Sequence, residues 1–325
     1  MMKKSLPLLP LVAVYLFACG AAEQTSGVDE VITETVDVAI AANPQQVQRG
    51  EIFRPIGTGK LAGVSTPETA PADWRLVAPD QVIFLKTTHG TTLIELASDF
   101  APGHTSQYGG LAHDGYFKGM PFHRVIEGFM AQAGDHRLVG RPEPSTPTLA
   151  AEFTYRRAPA TKMIVVGERR SAQAGFINGF KFASQNPALA SMTVDGKVEA
   201  WQLHCPGAVA AARLGNDINS ANAQFYITTA YPENLDKGYT IWGRVRAGLT
   251  PVYQIKKGEP VIPPDLIEEF ALTSDMDPSI RPSVWVMDTN GAAFITYLEG
   301  LKAASGRLPD ICRIEVPVFV RWPSE

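Results

Sequence analysis

The run Gly115-Tyr116-Phe117-Lys118-Gly119-Met120-Pro121-Phe122-His123-Arg124-Val125-Ile126-Glu127-Gly128-Phe129-Met130-Ala131-Gln132-Ala133-Gly134-Asp135 limits the fold more than any other part of the chain. Its glycines and its proline break the chain every few residues, so it turns too often for a long helix. Those turns bring a cation, an amide and several large apolar side chains to one surface. Upstream, residues 82–87 and 91–96 read as strands, joined by the hairpin signal Thr88-His89-Gly90. Phe100-Ala101-Pro102 then opens a segment where proline suits the first helical turn. Thr105, Tyr108, Leu111 and Ala112 recur near helical spacing, and Gly115 can stop the helix. A hairpin, a capping helix, then short strands with Gly-rich turns predict a mainly β protein. The expected form is a closed antiparallel β-barrel capped by helices.

Residues 1–22 read as a targeting segment, with Lys3 and Lys4 as a positive start and a mostly apolar run over residues 6–18. That run falls short of the roughly 20 apolar residues that span a bilayer, and Pro7 and Pro10 interrupt it. It ends in Leu16-Phe17-Ala18-Cys19-Gly20, which resembles the bacterial lipoprotein cleavage box, with Cys19 as the lipidated first residue of the mature chain. The alternative is an ordinary secretory signal cut near Ala22, with Cys19 discarded. The first reading places the protein in the periplasm, anchored by lipid to the envelope membrane; the second makes it a secreted protein.

Residues 23–79 read as a tether and N-terminal arm, polar at Gln24-Thr25-Ser26-Gly27 and punctuated by Pro44, Pro55, Pro67, Pro71 and Pro79. Trp74 within it is expected to pack on the folded domain, which is expected over residues 80–325. Hydrophobic residues at 45% and charged residues at 19% suit a full core. A formal net charge of −4 leaves no basic surplus for nucleic acid or acidic lipid. Any membrane contact therefore falls to the N-terminal anchor. Apart from Cys19, only Cys205 and Cys312 remain. In an oxidising compartment they could pair, or they could be two buried thiols that never meet; two cysteines alone do not decide.

The Gly115–Asp135 run resembles the central signature of the cyclophilins, the peptidyl-prolyl cis-trans isomerases of that name. The likeness continues on both sides. Glu95-Leu96 through Ala101-Pro102 looks like the family's second strand and first helix, and Ala151-Glu152-Phe153 its acidic-Phe element. Ala210-Ala211-Ala212-Arg213 through Gln224-Phe225-Tyr226-Ile227 resembles the second family block. Leu235-Asp236 and Tyr239-Thr240-Ile241-Trp242-Gly243-Arg244-Val245 resemble the third. The wording of these blocks is most similar to bacterial exported cyclophilins.

The resemblance implies a site, residue by residue. Arg124 stands at the catalytic arginine, Gln132 at the amide that positions it and contacts substrate backbone, and Phe129 at the ring pocket. Met130, Tyr226 and Leu235 stand at the other pocket walls, Gln224 and Arg213 along the peptide groove (Arg213 through its main chain), and Tyr239 where many members have histidine. Tertiary prolyl amides isomerise across a barrier of roughly 20 kcal/mol, taking tens of seconds or more. In the family's mechanism a guanidinium donates to the prolyl nitrogen, whose lone pair is free only in the twisted transition state. The implied partners are proline-containing unfolded or partly folded polypeptides, and no cofactor is implied. The alternative function is a non-catalytic binding module, or holdase, for envelope proteins.

Two departures bear on this. Asn234 occupies the position where cyclosporin-sensitive members have Trp, so weak cyclosporin binding is expected. Tyr226 replaces the usual Phe and puts a hydroxyl into an apolar cup, which costs free energy unless the hydroxyl finds a partner or water. The six histidines show no HExxH or paired-Cys arrangement, so no metal site is expected. A long insertion is expected at about residues 154–206, with strands near 163–167 and 197–203, and an extension at about 260–325. In the extension, residues 292–305 suggest a helix, and 311–320 alternate like a strand that closes the barrel, although 267–273 could supply that strand instead.

Overall fold

The computed structural model describes residues 52–53, 64–145, 148–303 and 306–323. The expected targeting segment, Cys19 and most of the expected tether lie outside the described residues. Two short strands come first, β1 (Ile52–Phe53) and β2 (Trp74–Leu76). The expected hairpin follows as β3 (Val82–Thr87) and β4 (Gly90–Leu96), and the expected helix as α1 (Pro102–His113). Pro102 occupies the first turn of α1, where its missing N–H costs no bond. Glu152 supplies what the helix end lacks: its carboxylate accepts from the Gly103 and His104 N–H groups at 2.9 and 3.0 Å. The Gly-rich run forms β5 (Phe122–Ile126) and β6 (Met130–Ala133).

The insertion contributes β7 (Tyr155–Arg157), β8 (Ile164–Arg169), β9 (Ala172–Ile177), β10 (Phe180–Ser184) and β11 (Val198–Gln202). The chain then returns as β12 (Ala208–Ala211), β13 (Phe225–Thr228), β14 (Ile241–Ala247), helix α2 (Leu249–Gln254) and β15 (Glu269–Leu272). It continues through β16 (Ser283–Met287), α3 (Ala292–Ala303) and β17 (Val318–Arg321).

Eight strands form one antiparallel sheet in the order β15-β3-β4-β14-β12-β13-β6-β5. The sheet curls into a half-barrel whose end strands β15 and β5 do not pair, and the segments beside them bridge the gap. Across the seam, Val125 and Gly258 exchange two backbone hydrogen bonds of 2.9 Å, and Ile267 bonds Gly119 and Met120 at 2.7 and 2.9 Å. The predicted closure by residues 311–320 is corrected. It is β15 that pairs with β3, whereas residues 311–313 form a 3-10 turn and β17 lies in another sheet. Residues 314–320 are instead buried on both faces, in the core that the four-stranded sheet shares with the insertion. Inside the barrel, Tyr108 of α1 stacks on Trp242 with centroids 4.1 Å apart, beside Phe117, Phe225 and Phe270.

The insertion forms a five-stranded sheet, β7-β11-β10-β9-β8, and the two ends of the described chain form a four-stranded one, β1-β17-β16-β2. These two sheets share a core. Ala172, Ala174 and Phe176 of the insertion pack in one cluster with Val284, Val286, Phe294 and Val318. Trp74 is buried in the same cluster, so residues on either side of β2 belong with the folded body rather than with a free tether. The cysteines form a disulfide, Cys205–Cys312, which links the segment after β11 to the one before β17.

Beside that bridge lies a buried charge cluster. Lys181 Nζ donates to the Cys312 carbonyl at 3.2 Å and to Glu315 at 2.9 Å, and Arg244 reaches the other Glu315 oxygen at 3.5 Å. Burial, and then the neighbouring Arg244, pull the Lys181 ammonium down to about 7 despite Glu315. An unfolded lysine keeps its proton to about 10.5. Between those values the unfolded chain binds more protons than the native one, so stability rises with pH across that window. Lys181→Met should abolish this contribution. Urea unfolding midpoints at about pH 7 and pH 9.5 test it: the rise in the parent should exceed that in Lys181→Met, and equal rises would overturn the assignment.

Candidate active site

Strand alternation builds the site. On β6, Ala131 and Ala133 point into the barrel core, which leaves Met130 and Gln132 on the outer face. On β13, Phe225 and Ile227 point inward and Tyr226 outward. On β5 the pairing slips between Phe122 and Arg124. This bulge keeps both Phe122 and Val125 in the core while placing Arg124 opposite Gln132. Gln132 in turn faces Tyr226 across the next ladder. One residue of slip would have turned the arginine inward.

The outward residues form a cup. Met130 and Tyr226 are buried with Ala208, Ala210 and Ile241, and Phe129, Leu235 and Tyr239 pack against them half-buried. At the rim, Arg124 Nη1 donates to Gln132 Oε1 at 3.5 Å, and Gln132 Nε2 to Gln224 Oε1 at 3.0 Å. The Arg124 guanidinium lies 6.0 Å from the Phe129 ring centroid and its side chain is 35% exposed, so it stays open to a ligand seated in the cup. Its Nε donates to the carboxylate of Glu259, which the seam carries to this edge. The structure thus brings together Arg124, Gln132, Phe129, Met130, Gln224, Tyr226, Leu235 and Tyr239. The Arg213 guanidinium backs the wall of the cup, which leaves its main chain for the groove. It donates to the Gly238 carbonyl at 3.0 Å and lies 4.5 Å over the Tyr239 ring, buttressing that wall. Asn234 sits exposed on a 3-10 turn, Glu233–Leu235.

The hydroxyl of Tyr226 has a partner. His204 Nε2 lies 3.1 Å from it, and His204 Nδ1 and N–H reach Asp236 Oδ1 at 2.8 and 2.9 Å. Tyr231 donates to the other Asp236 oxygen at 2.6 Å. Burial raises the Tyr226 phenol well above its ordinary value, so the group stays a neutral hydroxyl. The cost of placing a hydroxyl in the cup is therefore offset by a largely buried chain that ends on a carboxylate. His204, Tyr231 and Glu259 were not singled out from sequence for this site. His204 lies 22 residues from Tyr226 with no local motif, and only the three-dimensional return of the insertion brings them together.

An apolar cup faced by one guanidinium, on a curled eight-stranded antiparallel sheet, is the architecture of a cyclophilin-type peptidyl-prolyl isomerase. The family model for cyclophilin type peptidyl-prolyl cis-trans isomerase/CLD matches residues 82–270, and the chain belongs to that family. A probable peptidyl-prolyl cis-trans isomerase of Brucella suis is 31% identical over 191 residues, covering 55% of this chain and 74% of that protein. Peptidyl-prolyl cis-trans isomerase ppi1 of Schizosaccharomyces pombe is 30% identical over 166 residues, covering 51% and 79%. The crystal structure of cyclophilin AquaCyp293 from Hirschia baltica superposes with a TM-score of 0.74 at 35% identity, covering 80% of this chain and 99% of that one. That overlap is wider than the 82–270 match, so it extends into the terminal segments.

Proposed function

We propose that this isomerase acts outside the cytoplasm on proline-containing segments of exported proteins, held at the envelope membrane by a lipid on Cys19. The Cys205–Cys312 disulfide carries this reading, because such bridges persist in oxidising compartments and are rare in the cytosol. The charged start, apolar run and Cys19 of the N-terminal segment support it independently. Residues between Cys19 and the folded body then serve as the tether.

In this reading the client's proline ring enters the cup of Phe129, Met130, Tyr226, Leu235 and Tyr239. Gln132 and Gln224 hold the client backbone, and Arg124 donates to the prolyl nitrogen once twisting frees its lone pair. The guanidinium binds the twisted amide better than either planar form, and that difference lowers the barrier without a covalent intermediate. Asn234 offers no indole surface, so cyclosporin binds weakly in the same reading.

Cys19→Ser should release the protein from the membrane fraction or block its maturation, while leaving isomerase activity in the folded body. Mass spectrometry of the mature N-terminus decides between the alternatives. A diacylated chain starting at Cys19 supports the anchor; an unmodified chain starting near Glu23 would mean a secreted protein.

A further inference from the structure

The seam loop that closes the barrel places a carboxylate against Arg124. Gly258 is locked to Val125 by two 2.9 Å backbone bonds, and the Val261 N–H donates to the His123 carbonyl at 3.0 Å. Glu259 is therefore pinned on both sides to the strand that carries the arginine. Gly258 is required there: a Cβ would lie 2.7 Å from the Pro260 carbonyl oxygen and 2.9 Å from Val261 Cα. Glu259 bonds Arg124 Nε through Oε1, and its side chain is 57% exposed. Arg124 has five N–H donors, of which this bond and the one to Gln132 occupy Nε and Nη1.

We propose that Glu259 is a positioning and specificity-determining residue: its carboxylate fixes the plane of the Arg124 guanidinium and recruits clients carrying lysine or arginine beside the proline. The first half follows from geometry. A guanidinium held at Nε by one partner and at Nη1 by another has little freedom to rotate, so its remaining donors are presented to the cup in one orientation. The second half follows from charge. Arg124 alone would make the rim positive and favour acidic clients. With Glu259 in contact, that bias is cancelled, and since Arg124 takes Oε1, the second carboxylate oxygen of this exposed side chain is left to accept from a cationic neighbour of the proline. Charge at such a rim selects partners more than it adds affinity, and salt should weaken it. The proposal rests on Arg124 being the catalytic donor.

The test uses three short peptides that differ only in the residue beside proline (Lys, Ala or Glu), with exchange rates and binding read by NMR on the full-length protein. The parent should show a Lys-to-Glu ratio in kcat/KM of about five- to tenfold, carried mainly by KM and reduced by half-molar salt. In Glu259→Gln that ratio should fall to near one, and kcat on the Ala peptide should drop less than threefold, because the amide oxygen still accepts from Nε. Glu259→Ala should lower kcat on the Ala peptide about tenfold. Equal kcat/KM for the Lys and Glu peptides in the parent, or a ratio unchanged in Glu259→Gln, would overturn recruitment. Parental kcat in Glu259→Ala would overturn positioning. An Arg124→Ala protein that keeps parental turnover removes the catalytic reading on which positioning depends, and so counts against positioning too; the parent's Lys-to-Glu binding ratio still decides recruitment.

Discussion

Replacing Arg124 with alanine is expected to lower kcat/KM for a short Ala-Pro peptide by about 100-fold or more, the usual effect of deleting one transition-state donor. The loss should fall on turnover rather than folding. Arg124 is part-exposed and its partner Glu259 is exposed, so no buried charge is left unpaired, and an exposed pair contributes only about 0–1 kcal/mol. Arg124→Lys should not restore activity, since an ammonium lacks the planar fork that reaches Glu259 and Gln132 together. A protease-coupled or NMR-exchange assay measures the rate, and circular dichroism checks the fold. Near-parental kcat/KM in the alanine variant would sink the mechanism.

The second large effect concerns stability. Cys205 and Cys312 lie 107 residues apart in sequence, so the bridge closes a long loop of the unfolded chain. Removing it with Cys312→Ser should destabilise the protein by about 2–5 kcal/mol, which for a domain of this size lowers Tm by roughly 5–15 °C. Reduction of the parent should reproduce the shift. Because His204 adjoins Cys205 and bonds Tyr226 in the cup, the reduced protein should also lose isomerase activity at temperatures the oxidised protein tolerates. An unchanged Tm after complete reduction would show that the two sulfurs do not clamp the fold.

Local pattern reached some of this and not the rest. The hairpin Val82–Leu96, the helix at Pro102 and the strands around Arg124 were legible because each is set by neighbours: turn glycines, a proline at a helix start, alternation of period two. The cup was legible through its wording, since Phe129, Met130, Gln132, Gln224, Tyr226, Leu235 and Tyr239 all stand in blocks that resemble one family. What escaped depends on distance. Glu259 meets Arg124 135 residues away, and nothing near either residue announces the other. The partner of the Tyr226 hydroxyl comes from the end of an insertion in which β8 and β11 were legible as strands but their return to the cup was not. Residues 311–320 and 267–273 both offered themselves as the closing strand because each is a short apolar run, and only 269–272 pairs with β3. An apolar run reports that a segment is buried, here on both faces, but not against what.

The four-stranded sheet of β1, β17, β16 and β2 has a consequence for how the molecule comes into being. Ile52 pairs with Phe319, and Trp74 with Met287. On a ribosome or through a translocation channel, the first of each pair emerges long before the second. During that interval β1 and β2 have open edges and Trp74 has no pocket, a state prone to mispairing with other chains. Pairings this far apart in sequence also form slowly. A catalyst of slow folding steps thus carries a late-closing step of its own, and its newly emerged strands must be kept apart from neighbours until the last strand arrives.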